Sequence, residues 1–183
     1  EASYGGRYGK DGLDCVDTLY ANTRNNPIED IESHYPLMVK RYELREDKCG
    51  AGKWRGGLGS IRDVMFTTDG RMSLEGDGHK YAPWGIFNGK EGTPGALLLN
   101  PDGESTSLPS KISDRRTKSG DTFQTISPCG GGYGNPLERD IQKVLDDVLD
   151  GFISEKSARD YGVVLTNDLR VDEAATAKLR SLS

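Results

Sequence analysis

Residues Ser60–Glu75 read SIRDVMFTTDGRMSLE: two short apolar-rich runs, Ser60–Thr67 and Arg71–Glu75, around Thr68-Asp69-Gly70. An Asp-Gly pair between such runs is a hairpin signal, so this stretch predicts two strands joined by a tight turn. The same pattern extends outward. Upstream, Leu37–Arg45 (LMVKRYELR) reads as a strand with Met38, Tyr42 and Leu44 mostly on one face and Leu37 and Val39 on the other. Downstream, Ala96–Asn100 (ALLLN) and Thr122–Ser127 (TFQTIS) add two more. Between the strands lie glycine-punctuated connections, at Tyr4–Asp14 (YGGRYGKDGLD) and at glycines 50, 52, 56, 57 and 59. In the first of these the backbone is expected to visit positive φ. One short helix is expected before the strands, with Asn26 as N-cap, Pro27 at its first position, Glu29 three residues after the cap and Pro36 as its stop.

The character changes at Asn135-Pro136-Leu137-Glu138, which repeats that cap logic. From there to Gly151, a left-handed stop, Leu137, Ile141, Val144, Leu145, Val148 and Leu149 share one helical face. Asp140, Lys143, Asp146 and Asp147 are read as lying elsewhere on the wheel. A second helix is expected between Ser154 and Gly162, then a short strand from Gly162 to Leu165. A third helix over Val171–Leu182 is entered with Asp172 and Glu173 at its positive end. The fold class is therefore α+β, with a β-rich body over 1–135 and a helical segment over 136–183 packed on it as one structural unit.

Composition bounds the function. The 183 residues carry 24 Lys and Arg against 29 Asp and Glu, a net charge of −5. That balance argues against nucleic-acid binding, which needs a basic face to neutralise phosphates. The densest basic stretch, Lys111–Lys118, is read as a solvated loop. No apolar run approaches the ~18 residues needed to cross a bilayer, and no signal peptide is read. The 24 glycines and a hydrophobic fraction of 34% predict a loop-rich domain, and recurring aromatics and β-branched residues argue against disorder. Cys15, Cys49 and Cys129 are odd in number and form no CxxC pair, which favours reduced thiols and a cytoplasmic home. A chain opening on Glu1 is expected to be a cleaved product or a fragment.

Few residues carry obvious chemistry. Pro128–Gly134 (PCGGGYG) precedes a helix as a phosphate loop would, but Asn135-Pro136 stands where Gly-Lys-Ser/Thr is needed. A tight structural turn is the better reading. Only two histidines occur. His34 suits a helix C-terminus at the surface. His79 lies in Glu75-Gly76-Asp77-Gly78-His79-Lys80, leading into Tyr81-Ala82-Pro83-Trp84-Gly85. Titratable groups, glycine freedom and aromatics in one connection are what a binding loop needs; the alternative is a hairpin end packed under Trp84. No metal set and no Ser-His-Asp triad can be picked out.

Recognition comes from the order of segments. Asn22-Thr23-Arg24-Asn25-Asn26-Pro27-Ile28-Glu29 is followed by Tyr35-Pro36 and Arg41-Tyr42-Glu43-Leu44-Arg45. Next come Gly50-Ala51-Gly52-Lys53-Trp54-Arg55-Gly56-Gly57-Leu58-Gly59, Pro83-Trp84-Gly85 and Leu108-Pro109-Ser110-Lys111. Gly120-Asp121, Gly130-Gly131-Gly132-Tyr133-Gly134, Val144–Gly151, Tyr161-Gly162-Val163 and Val171–Thr176 complete the series. This succession resembles the C-terminal part of the hydantoinase B/oxoprolinase family, whose members include N-methylhydantoinase, 5-oxoprolinase, caprolactamase and the acetone and acetophenone carboxylases.

The resemblance implies a part of the B-type subunit of an ATP-dependent multi-subunit enzyme that hydrolyses a cyclic amide or carboxylates a ketone. A hydantoinase A-like subunit would handle ATP and phosphorylate the substrate oxygen, turning it into a good leaving group. The divalent metal would be held by Asp and His residues in an N-terminal part of the B-type subunit that has no counterpart here. ATP and metal are thus expected outside this chain, which is expected to be inactive alone. On this reading His79 and Asp77 are the candidate catalytic residues. Trp84 is a candidate pocket or interface residue, and Arg45 and Arg55 are candidate anion or carboxylate contacts. Two alternatives stand beside it: a non-catalytic assembly module, and an independent cysteine-dependent hydrolase using Cys129.

Overall fold

The computed structural model describes residues 2–17, 21 and 23–181. Among them, seven strands form two antiparallel sheets: β1 (Leu37–Leu44), β2 (Ser60–Phe66), β3 (Gly70–Glu75), β4 (Ala96–Leu99), β5 (Thr106–Ser107), β6 (Lys111–Thr117) and β7 (Thr122–Ile126). Five pair in the order β1-β2-β7-β4-β5, and β3 and β6 form a separate ribbon. The α+β class holds.

The expected hairpin does not form. β2 is drawn into the large sheet between β1 and β7, while β3 leaves it to pair with β6. The Asp69 carboxylate is used across this gap, accepting from the Ser119 amide at 3.0 Å and from Lys118 at 3.0 Å. Lys111–Thr117 is accordingly a strand and not a loop. Its alternation puts Ile112 and Arg115 at the half-buried positions and leaves Lys111 and Arg116 exposed.

The helices also depart in detail. α1 (Ile28–His34) starts one residue later than expected: Pro27 is its N-cap, and no side chain caps it. Asn22, at the start of the recognised succession, lies outside the described residues. The long expected helix is two pieces, a 3-10 turn at Pro136–Glu138 and α2 (Ile141–Leu149). Asn135 accepts from the Leu137 amide, and Arg139 is extended (φ −63°, ψ 137°). Asp140 then caps a fresh helix by accepting from the amides of Gln142 and Lys143. Gly151 ends it at φ +74°, as expected of a left-handed stop. The second expected helix is a 3-10 segment, Ser157–Tyr161, and the strand after it reduces to a single bridge between Leu165 and Val171. α3 (Glu173–Ser181) begins two residues later than expected; Leu182 lies outside the described residues.

Two kinds of interior hold these parts together. The first is apolar: Val144 of α2 packs with Ala51, Ile153, Ala158, Tyr161 and Val163. The second is backbone. Glycine-rich segments around Gly6, Gly56, Gly89 and Gly131 lie directly against one another. A Cβ on Gly131 would sit 2.0 Å from the carbonyl oxygen of Trp84, and one on Gly56 would sit 1.9 Å from that of Gly130. The amides of Gly130 and Gly132 donate to the carbonyls of Gly57 and Lys90, and that of Gly6 to Gly131. Glycine is required there for space, to let chains approach to hydrogen-bonding distance on several sides.

Charge is buried between the two interiors. Arg139 is only 1% exposed, donates to both carboxylate oxygens of Asp11 (2.6 and 3.0 Å) and reaches Asp147 at 2.7 Å. Arg55 donates to both oxygens of Asp14 (2.8 and 3.2 Å) and to Asp147 at 3.1 Å. Asp147 is therefore on the buried stripe of α2, where two guanidiniums neutralise it, and not on the solvent side of the wheel.

Candidate functional site

The loop after β3 is held at both ends by backbone. Gly76 donates to the Ser110 carbonyl (2.8 Å) and Gly95 to that of Gly78 (2.9 Å), which itself adopts φ +72°. Between these ties the His79 ring stands in a slot left by two absent side chains. A Cβ on Gly76 would lie 2.9 Å from its Nε2, and one on Gly95 would lie 3.0 Å from its Cδ2. No described residue hydrogen-bonds its ring nitrogens, so both remain available.

His79 forms the wall shared by two cavities. One, of about 490 Å³, is bounded by Tyr81, Leu97 and Leu108–Ser110. The other, of about 640 Å³, lies between the loop and one face of the large sheet, where Ser60, Arg62 and Thr125 line it. Asp77 borders both; its side chain is 97% exposed and 3.7 Å from Lys111. The structure thus brings Asp77 and His79 to the same two openings.

The other expected site residues fall elsewhere. Trp84 is 80% exposed and lines a third cavity of about 290 Å³ with Ile86 and Gly131, so His79 is not covered by it. Arg45 donates to the carbonyls of Pro94 (3.1 Å) and Ser127, and burial pulls its pKa down. Arg55 is committed to the internal carboxylates described above. Burial opposes its charge, but hydrogen bonds to Asp14 and the charges of Asp14 and Asp147 outweigh that and raise its pKa. His34 sits at the surface, with Nδ1 2.9 Å from the Asp30 carbonyl oxygen. Local sequence reading missed Arg62, a lone arginine in a strand, because nothing nearby in the chain marks it as facing a cavity.

The residues present do not fit a metal or a nucleotide. Among the described residues no three His, Cys, Asp or Glu side chains converge as ligands. In the 128–134 loop the amides of Cys129, Gly130, Gly132, Tyr133 and Gly134 all donate to internal carbonyls, leaving no cradle for phosphate. Nor does Cys129 suit a nucleophile. It is fully buried and its Sγ accepts from the Gly59 amide at 3.1 Å, and no described base is hydrogen-bonded to it. Cys49 is also protected, because burial pushes its thiol up to about 12. Iodoacetamide near neutral pH is expected to leave Cys49 and Cys129 unmodified in the native protein and to alkylate both in denaturant. Rapid native labelling of Cys129 would restore the cysteine-hydrolase reading. Among the described residues no helix is long and apolar enough to cross a membrane.

Comparison with known proteins places this architecture. The hydantoinase B/oxoprolinase family model matches residues 1–136. A Pseudomonas sp. (strain NS671) protein named as the B-type component of a D-/L-hydantoinase is 60% identical over 185 residues, covering 100% of this chain and 31% of its own length. The beta chain of the Pseudomonas jessenii caprolactamase is 35% identical over 81% of this chain and 27% of its own. The crystal structure of the ATP-dependent caprolactamase from that organism superposes with a TM-score of 0.82 at 28% identity, over 98% of this chain and 32% of its own. The chain spans less than a third of the length of either of these two curated relatives. With the family model covering well over half of the chain and an aligned relative at 60% identity, the chain belongs to the hydantoinase B/oxoprolinase family.

Proposed function

We propose that this chain is the C-terminal part of the B-type subunit of an ATP-dependent enzyme that opens a cyclic amide, with a hydantoin as the favoured substrate class. The observation that carries the reading is the 60% identity to a protein named as the B-type component of a D-/L-hydantoinase, which runs the full length of this chain. Ketone carboxylation is the second chemistry the family accommodates; an acetone carboxylase alpha subunit is 27% identical over 80% of the chain. A hydantoinase A-like subunit and the remainder of the B-type subunit are the partners. ATP and a divalent metal bind outside this chain, which is inactive by itself. The enzyme works in the cytoplasm, and within this chain residues 1–135 form the body on which 136–183 pack.

On this reading the cleft at His79 and Asp77 is what the chain adds to the active site. An imidazole with both nitrogens available, in a slot between two glycines, is oriented to exchange a proton with the amide nitrogen or carbonyl oxygen of a ring. Asp77 supplies a solvated carboxylate beside it. Trp84 and its cavity are a surface for the rest of the assembly. In the assembled enzyme His79→Ala should lower kcat by ~10²-fold or more, the range of a lost general acid or base. ATP binding and subunit composition should be unchanged. Turnover within about twofold of the parent would leave His79 a packing residue and favour the assembly-module reading.

A further inference from the structure

Arg62, like Arg115 of the β3–β6 ribbon, is half-buried with an Nε that has no partner among the described residues, and of these two only Arg62 lines the cavity shared with His79. Arg55 and Arg139 are held in ion pairs with carboxylates, and Arg45 donates to carbonyls. Arg62, in the middle of β2, has neither an ion pair nor a side-chain hydrogen bond among the described residues, and its Nε is out of contact with water. Its guanidinium is laid over the Tyr42 ring, 5.4 Å from the centroid, from the neighbouring strand β1. Asn25 fixes that ring by donating to Tyr42 Oη at 2.7 Å. A guanidinium resting over a ring loses part of its freedom, and Arg62 lines the cavity shared with His79. Leaving a half-buried guanidinium without an acceptor is costly, and a planar oxyanion would remove that cost.

The surroundings narrow the ligand. Hydroxyls of Ser60 and Ser127, 3.1 Å apart, line the same cavity and can donate or accept. Against the single guanidinium stand three carboxylates on the cavity wall, Asp17, Glu75 and Asp77. A phosphate dianion or a polyphosphate would be repelled by this set. A molecule with one carboxylate and an adjacent N–H or ammonium would satisfy both signs at once. Hydrolysis of a cyclic amide makes such a pair: water adds to the carbonyl carbon, the C–N bond breaks, the nitrogen takes a proton, and a carboxylate appears that the ring did not have.

We infer that Arg62, stacked on Tyr42, is the carboxylate-binding position of this cleft, selecting the ring-opened amido acid over its uncharged ring. The inference rests on the reading of the cleft as part of the active site, but binding can be measured without turnover. Calorimetric titration of the assembled enzyme with N-carbamoylglycine, hydantoin and inorganic phosphate is the test. N-carbamoylglycine should bind, Arg62→Gln should weaken it roughly tenfold to hundredfold, and hydantoin should be indifferent to the substitution. Arg62→Lys should fall between, keeping charge but losing the fork. An unchanged urea midpoint in both variants excludes misfolding. Equal affinity of parent and Arg62→Gln for N-carbamoylglycine, or its displacement by stoichiometric phosphate, would overturn the assignment. If binding depends on Arg62 while His79→Ala retains full turnover, the carboxylate position stands and the catalytic reading of His79 falls.

Discussion

Replacing Arg139 by methionine is expected to cost about 3–5 kcal/mol of unfolding free energy, a large share of what a domain of this size has. The reason is positional. Arg139 joins Asp11, in the N-terminal glycine-rich loop, to Asp147 on α2, and its guanidinium also lies over the Tyr161 ring at 5.8 Å. Removing it leaves Asp147 with Arg55 alone and leaves Asp11 with only the Arg55 amide, 2.8 Å away. Burial raises the pKa of Asp11, but the hydrogen bond and charge of Arg139 outweigh it and hold it below the usual carboxylate range. A depressed folded pKa contributes stability at neutral pH and loses it as the pH falls through that value, so the Asp11 share is absent in strong acid. Urea unfolding followed by tryptophan fluorescence at pH 7 measures the effect. The companion Arg139→Met/Asp11→Asn variant should lose less than the sum of the single changes, because the second substitution removes the carboxylate that the first leaves uncompensated. A loss below about 1 kcal/mol for Arg139→Met would mean that water replaces the guanidinium and that the network does not tie the helical segment to the body.

What could be read in the sequence follows the range of the interactions. Leu37–Arg45, Ala96–Asn100 and Thr122–Ser127 were legible as strands because their apolar pattern is local. Which strands pair was not. Asp69-Gly70 looks like a hairpin turn, yet β2 finds its partners in Leu37–Phe66 and Val64–Phe123 registers, 29 and 59 residues apart in sequence. The strand at Lys111–Thr117 is hidden by its charges, since Arg71 and Asp114 pair across the ribbon and only Ile112, Arg115 and Thr117 turn inward. The break at Arg139 illustrates a side chain overruling a periodic pattern. The 3.6-residue pattern runs on from Leu137, but the chain turns extended at Arg139, where its guanidinium meets Asp11 and Asp147, and Asp140 restarts the helix. An N-cap type before Ile141 was the available signal.

The candidate site divides in the same way. Asp77 and His79 were visible because glycines and titratable groups crowd one short connection. Arg62 became visible only through strand pairing, which sets it beside Tyr42 and Thr125. Arg55 is a candidate anion or carboxylate contact in the sequence, but its partners lie 41 and 92 residues away, and they give it an internal role. The order of segments that resembles the family is carried largely by glycine-rich stretches, and these build the interior while the cleft residues sit at its edge. Recognition of the family therefore says more about the scaffold than about the reaction.

That scaffold makes Gly56→Ala a substitution of severity comparable to Arg139→Met. Alanine's φ and ψ preferences are not the obstacle, since Gly56 is not among the residues at positive φ. Space is. Its Cβ would lie 1.9 Å from the Gly130 carbonyl oxygen and 2.4 Å from the carbonyl carbon, with Gly131 at 3.0 Å beyond. An overpacked side chain can rotate away, but here both surfaces are backbone, held by the Gly56 amide to Gly50 and the Gly130 amide to Gly57, each at 2.9 Å. Relief requires the two glycine segments to separate, breaking several such bonds at once, so a loss of at least about 3 kcal/mol is expected, more than most core substitutions. Gly103→Ala is the matched control: nothing lies within 4 Å of its Cβ and its φ is not positive. It should stay within roughly 0.5 kcal/mol of the parent, or gain slightly from reduced freedom in the unfolded chain. Urea midpoints for the pair decide the matter. Comparable midpoints would show that the glycine segments can part cheaply, and the close backbone packing would then be a consequence of glycine's small size and not what holds the body together.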